Sequence, residues 1–218
     1  PRVVLGPGAK GLVVGPGMDA AGRDLRGSEF VTQDLRRAVF DHCNLYVVRI
    51  DGCLLKGASF RGAVFMGANV EIGPEDGVDV TNATINGVWR SGADGFDFYG
   101  LDLFPQQLIA TWSYKNKDLQ QCLIRGSRSG KPVALDFRGA DLRQSTFWGD
   151  CSKCDFTNAR VHGSFFGNDA LTFEQLASTS EVKHRGLRVR LGIGPKTANA
   201  ASGRWDFSRV WLTGSDLC

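Results

Sequence analysis

Six cysteines and three histidines are the side chains with the most chemical scope in these 218 residues. Cys151-Ser-Lys-Cys154 forms a CxxC pair, and His162 follows it after seven residues. A structural zinc site needs four ligands, usually with a second cysteine pair, and the chain has no second CxxC. A thioredoxin-like redox pair needs a strand-to-helix setting, which the flanking residues do not suggest. Cys43, Cys53 and Cys154 instead fall at positions where small apolar residues recur, and there cysteine serves as a compact filler. An even cysteine count suits disulfides in an exported chain. At such filler positions buried thiols are the expectation. No metal and no cofactor is assigned.

His42, His162 and His184 are scattered, and no G-x-S-x-G, Walker or HExxH sequence accompanies them. The stretch "GLVVGPG" is too loose for a dinucleotide fingerprint, and Glu75-Asp76 sits in a Pro/Gly loop and reads as solvated. The chain is therefore not expected to be an enzyme.

The elements that must carry any function come from composition and spacing. Hydrophobic content of 42% and charged content of 22% suit a folded protein, while 28 glycines against 7 prolines point to many tight turns. No apolar run reaches membrane-spanning length and no basic-then-apolar leader occurs in these residues, so no membrane insertion is expected and the compartment stays open. Residues 1–18 repeat a motif, "VVLGPG" then "LVVGPG", and read as a Gly/Pro-rich segment covering the first part of the fold.

From Leu25 a large apolar residue recurs every fifth position: Leu25, Phe30, Leu35, Phe40, Leu45, Ile50, Leu55, Phe60, Phe65, Val70. Two residues earlier stands something small, as at Ser28, Ala38, Cys43, Val48, Cys53, Ala58, Ala63 and Ala68; Arg23 and Gln33 are exceptions. A period of five forms no stripe on an α-helix, where each step turns about 100°. On a continuous strand it throws successive members onto opposite faces. It makes sense if the chain turns a corner every five residues, with glycines as in "LRG", "FRG" and "FMG" at the corners. The pattern breaks at "EIGPEDG" (71–77), a loop or degenerate side, and resumes at Val80 and Ile85 with Val78 and Ala83 inward. It returns at Phe137, Leu142 and Phe147, slips by one after "WGDCSKC" to Phe156, Val161 and Phe166, and ends with Phe207, Leu212 and Leu217.

This A-(D/N)-L-x-x pattern resembles the pentapeptide-repeat family. The resemblance implies an all-β solenoid, a right-handed quadrilateral β-helix in which each pentad is one side and about four pentads one coil. It also implies that the large residue and the small one before it both point inward, so that Phe40 stacks on Phe60. One continuous solenoid over 19–218 is expected, with two short helical inserts. These are "LFPQQLIATWSYKNKDLQQCL" (103–123) and "LTFEQLASTSEVKHRGLRVRL" (171–191), which align without gaps; Gln107 matches Gln175 and Thr111 matches Thr179. Such LTxEQLxST inserts resemble those of long bacterial members of the family, and read as side decorations.

The fold resemblance implies a non-catalytic structural or protein-interaction scaffold. Trp112, Tyr114 and Lys115, just beyond the helix of the first insert, and Lys183, Arg185, Arg188 and Arg190 in the second insert, are the candidate contact residues. Trp89, Trp148, Trp205 and Trp211 lie outward or out of register and read as corner cover. The chain ends at "GSDLC" inside a repeat, and an uncapped coil exposes apolar surface and strand edges. Self-association through that end, or docking of a protein partner, is the expectation. Some members of the family are DNA mimics that bind topoisomerases with a strongly acidic surface. This chain departs from them, with 26 basic against 23 acidic residues. A nucleic-acid-binding edge within 112–190 is the other alternative, disfavoured because charge clusters are usually solvated faces.

Overall fold

A backbone residue in the left-handed region recurs at every fifth position from Gly17 to Gly67. Glycine fills most of these corners, but Thr32 (φ 52°), Arg37 (φ 59°), His42 (φ 57°) and Val47 (φ 55°) hold the same conformation. L-residues enter that region at a cost, and a β-branched residue such as Val47 does so rarely. The corner is therefore imposed by the coil as a whole, not by local preference.

A computed structural model describes residues 1–70, 72, 76–85, 103, 105–125, 134–167, 171–180 and 190–191. The chain divides into two units, Pro1–Asn116 and Lys117–Cys218.

In the first unit the chain returns beside itself every twenty residues. Asp19 bridges Val39, which bridges Ser59, which bridges Asp79, all in parallel. Asp24, Asn44, Val64 and Thr84 form a second such ladder. A third contains β2 (Glu29–Val31), β3 (Arg49–Asp51) and β4 (Asn69–Val70), with Phe30 on Ile50 and Ile50 on Val70. A fourth joins Asp34 to Leu54. Four ladders at five-residue offsets thus bring each twenty-residue coil of chain back beside the one before it. The twenty-residue interval persists from Ser59 to Asp79, and Gly57 N donates to Asp76 O at 2.7 Å.

Large residues fill the interior of each coil. Leu25, Phe30, Leu35, Phe40, Leu45, Ile50, Leu55, Phe60, Phe65 and Val70 are buried with Ala58, Ala63 and Ala68, none more than 3% exposed. Phe40 lies flat on Phe60, centroids 4.7 Å apart and planes 1° from parallel. Phe30 meets Phe40 edge-on at 6.0 Å within a coil. Offset and edge-to-face pairs of this kind add to what burial alone contributes. Cys53 departs from its neighbours at the small position: it is half-buried, with Sγ–H donating to Phe30 O at 3.3 Å.

The N-terminal segment covers the open edge of the first coil. Its strand β1 (Arg2–Val4) pairs antiparallel with β2, so this sheet is mixed, in the order β1-β2-β3-β4. A 3-10 turn at Pro7–Ala9 follows and buries Ala9 completely. Gly6 N donates to Ser28 Oγ at 2.9 Å. At Gly8 only glycine fits, because a Cβ would run into the Asp24 backbone carbonyl.

At the other side of this unit, α1 (Pro105–Ala110) and α2 (Trp112–Lys115) lie against the fourth coil. Gln107 Nε2 donates to Val78 O at 3.1 Å, Asn82 N to Ala110 O at 2.9 Å and Trp112 N to Ala83 O at 2.9 Å.

The second unit repeats the principle with uneven coil lengths. Strands β5 (Leu123–Arg125), β6 (Thr146–Trp148), β7 (Phe165–Phe166) and β8 (Arg190–Leu191) form a parallel sheet in that order. Asp118, Asp141 and Arg160 form a second ladder, and Asp136 with Asp155 a third. Phe137, Leu142, Phe147, Phe156, Val161 and Phe166 are all at most 1% exposed. Phe137 stacks on Phe156 at 5.2 Å and Phe147 on Phe166 at 4.8 Å. The one-residue slip has a plain cause. The side after Phe147 is one residue short, and Cys151, fully buried, takes its large-residue position.

Helix α3 (Phe173–Ser178) follows β7 and begins with a capping box between Thr172 and Gln175. It repeats α1: Gln175 Nε2 donates to Cys151 O and Cys154 O, and Thr179, like Thr111, is fully buried with its hydroxyl on the carbonyl three residues back. The repeated sequences thus build the same device, a helix laid over a coil and held by one glutamine. Trp89, Glu75, Phe207, Leu212, Leu217, Trp205, Trp211 and "GSDLC" lie outside the described residues.

Candidate functional site

The turn between α1 and α2 presents the exposed aromatic that the sequence singles out. Thr111 caps α2: its Oγ1 accepts from Tyr114 N at 3.1 Å and donates to Leu108 O at 2.7 Å. With its neighbours held, Trp112 stands 42% exposed, and Ile109, three residues earlier, is 44% exposed. Tyr114 is half-buried. Lys115 is exposed, and its Nζ donates to Asn82 Oδ1 at 2.8 Å, which ties the end of α2 to the fourth coil. Ser113 Oγ accepts from Ile85 N at 3.0 Å. These bonds hold the turn that carries two exposed apolar residues, Ile109 and Trp112, and the exposed Lys115. Ile109 carries no signal in the sequence, since it breaks no pattern; only its placement three residues before Trp112 joins the two.

Lys183, Arg185 and Arg188 lie outside the described residues. Arg190 belongs to β8, where its backbone pairs with Phe165. Trp148 is half-buried against Phe165, centroids 5.1 Å apart. On the outer row of the first unit, Lys56, Arg61 and Met66 are exposed. Tyr46, Val47 and Met66 are also about half exposed on neighbouring corners, where Val47 N donates to Met66 O at 3.0 Å.

Among the described residues of the second unit, Lys117, Arg138, Arg143 and Arg160 are engaged by aspartates. Arg138 contacts Asp136 at 3.0 Å and Asp155 at 3.6 Å, and Lys117 contacts Asp136 at 3.4 Å. Arg143 and Arg160 share Asp141 at 2.7 and 3.2 Å. In the first unit Arg26 pairs with Asp24 and Arg36 with Asp34. Four of these pairs, Asp24 with Arg26, Asp34 with Arg36, Asp136 with Arg138 and Asp141 with Arg143, follow one sequence rule: in Asp-x-Arg the middle residue points inward, so the flanking charges meet on the outer face. "DLR" and "DFR" were the available signal, and a count of basic residues alone hides it.

These pairs shift the acids. Hydrogen bonds from Arg138 hold Asp136 well below the usual carboxylate range, and those from Arg36 hold Asp34 at about 2. Burial pushes Asp141 upward, but the Arg143 hydrogen bonds with Arg160 outweigh it and the net shift is down. A folded-state pKa below the unfolded value of about 3.9 contributes stability that is present above that value and lost as pH falls through the folded one. The urea midpoint is therefore expected to hold between pH 7 and 5 and to fall between about pH 4 and 2. A midpoint unchanged across that acid range would show that these exposed pairs contribute nothing.

Three thiols behave as filler. Burial pushes Cys43 up to about 11, and its Sγ–H donates to Ala20 O at 2.9 Å. Burial also raises Cys53 and Cys122. Cys151 and Cys154 are both buried, whereas His162 is exposed. No group of three or more metal-ligating side chains occurs among the described residues. No helix among them is long and apolar enough to cross a membrane.

No family model matches the chain, and no curated protein does. Among solved structures, that of full-length QnrB1, a plasmid-mediated fluoroquinolone resistance protein, is similar over 83% of this chain and 81% of its own. Identity is 17% and the TM-score 0.29, a likeness that assigns neither family nor function.

Proposed function

We propose that the chain is a right-handed, four-sided β-helix of the pentapeptide-repeat kind, acting as a non-catalytic scaffold that docks a protein partner. The observation that carries this reading is the exposed Ile109–Trp112 pair, held by the Thr111 cap and the Lys115–Asn82 bond. Rigid aromatic anchors lose little entropy on binding and dominate many interfaces. A protein surface suits this patch better than nucleic acid, because Arg26, Arg36, Arg138 and Arg143 are each matched by an aspartate on the same outer face. The same matching leaves those aspartates poorly suited to mimic a run of phosphates, which weighs against a topoisomerase-binding DNA mimic.

Capture of partners from the native source with wild type and Trp112→Ala tests the proposal. Recovery of at least one protein is expected to fall tenfold or more with the variant, in line with about 2 kcal/mol for an aromatic hot spot. Equal recovery with both chains, or retention on immobilised DNA that declines steeply with salt, would overturn it.

A further inference from the structure

We propose that Cys151 and Cys154 are a modification site, a thiol pair that a small two-electron oxidant such as hydrogen peroxide converts reversibly to a disulfide. Three observations meet at the pair. Both residues point into the coil, at 0% and 4% exposure, and neither is oxidised. Cys154 N donates to Cys151 O at 2.8 Å, closing a four-residue turn. Such a turn keeps its end Cα atoms within roughly 7 Å, the range a disulfide spans without backbone movement. Elsewhere this same pair of inward positions holds one large and one small residue, as at Phe40 and Cys43 or Phe137 and Ala140, whose amide bonds repeat the turn at 3.1 and 2.9 Å. Only here, among the described residues, are both positions sulfur.

The two thiols are unequal. Contact with Cys154 first, and burial second, raise Cys151, while the hydrogen bond from Cys151 lowers Cys154. Cys154 is also the less buried of the two, so it is the attacking sulfur. Its thiolate attacks a peroxide oxygen, the O–O bond breaks, and hydroxide leaves as water after taking a proton. Cys154 becomes a sulfenic acid. The Cys151 sulfur then attacks it, the S–O bond breaks as S–S forms, and the Cys151 proton leaves with the second water. Two thiols and one peroxide give one disulfide and two waters. A thiol reductant reverses the change.

Helix α3 sits on this turn through Gln175, whose Nε2 donates to Cys151 O at 2.9 Å and Cys154 O at 2.6 Å. The disulfide would therefore fasten the turn on which the helix rests.

Trypsin cuts after Lys153, between the two sulfurs, and makes the test direct. Folded protein is treated with hydrogen peroxide, quenched, unfolded, alkylated with N-ethylmaleimide and digested. Peptides 144–153 and 154–160 are expected as one linked species that dithiothreitol separates, with loss of both maleimide adducts. Cys43, with its Sγ–H on Ala20 O, is expected to keep its adduct. Cys151→Ser removes the resolving sulfur and is expected to leave a dimedone-reactive sulfenic acid at Cys154. Recovery of both peptides as separate maleimide adducts, or linkage that forms only in urea, would overturn the proposal. So would the absence of a dimedone adduct on a folded Cys151→Ser chain.

Discussion

Phe147→Ala is expected to destabilise the second unit by about 3–5 kcal/mol, the range for deleting a fully buried aromatic ring. Phe147 touches three other rings: Phe137 at 5.7 Å, Phe156 at 5.5 Å and Phe166 at 4.8 Å. Two of these contacts are edge-to-face and the third is stacked, so truncation removes three favourable ring geometries and the buried area. The void also cannot close easily. Its walls are backbone corners tied by ladders, such as Thr146 N to Cys122 O and Gly167 N to Phe147 O, and a ladder cannot shift inward at one coil without breaking its bonds to the next. Arg138→Ala, on an exposed face of the same unit, is expected to leave the urea midpoint close to that of the unaltered chain, because surface ion pairs contribute little. Urea unfolding followed by near-ultraviolet circular dichroism separates the two. A loss below 1 kcal/mol at Phe147 would show that the coil can collapse around the missing ring.

The interior was readable because burial in a coil is a strict filter on residue type. Leu25 to Val70 declare themselves by size at every fifth position, and Ala58, Ala63 and Ala68 by smallness two residues earlier. The corners were less readable. Gly57 and Gly62 mark them, but Thr32, Arg37, His42 and Val47 occupy the same left-handed position without any side-chain signal. Their conformation follows from the coil closing over twenty residues, a property no local window contains. Cys151 was hidden for a related reason. A side one residue short looks like a lost register in the sequence, and only stacking shows that a sulfur has replaced a ring. The exposed patch is the least readable part. Trp112 stood out as an aromatic beyond a helix, but Ile109 joins it only through the turn at Thr111. Exposure leaves residue types unconstrained, so the outer surface carries less signal than the core.

Excising one whole coil tests the architecture more severely than any point substitution. Removing residues 39–58 joins Ala38 to Ser59, so the small, polar and large order is kept as Ala38-Ser59-Phe60. Asp19 then faces Ser59 where it faced Val39, and β2 meets β4 where it met β3. The rings agree as well: Phe60 already stacks on Phe40, so it inherits the edge contact of Phe40 with Phe30. In a stack where each coil touches only its neighbours, stability is roughly a sum of coil and interface terms. The shortened chain is expected to lose one such share and still unfold cooperatively. Removing residues 39–60 joins Ala38 to Arg61 and sends Gly62 to the large inward position, with Phe65 at a small one. That chain leaves a void and an overpacked site in one coil, each destabilising by kcal/mol, and its first unit is expected to lose cooperative unfolding. The two deletions differ by two residues, so size alone cannot separate them. Equal behaviour of the pair would sink the four-sided coil, because only a twenty-residue return makes the smaller deletion silent.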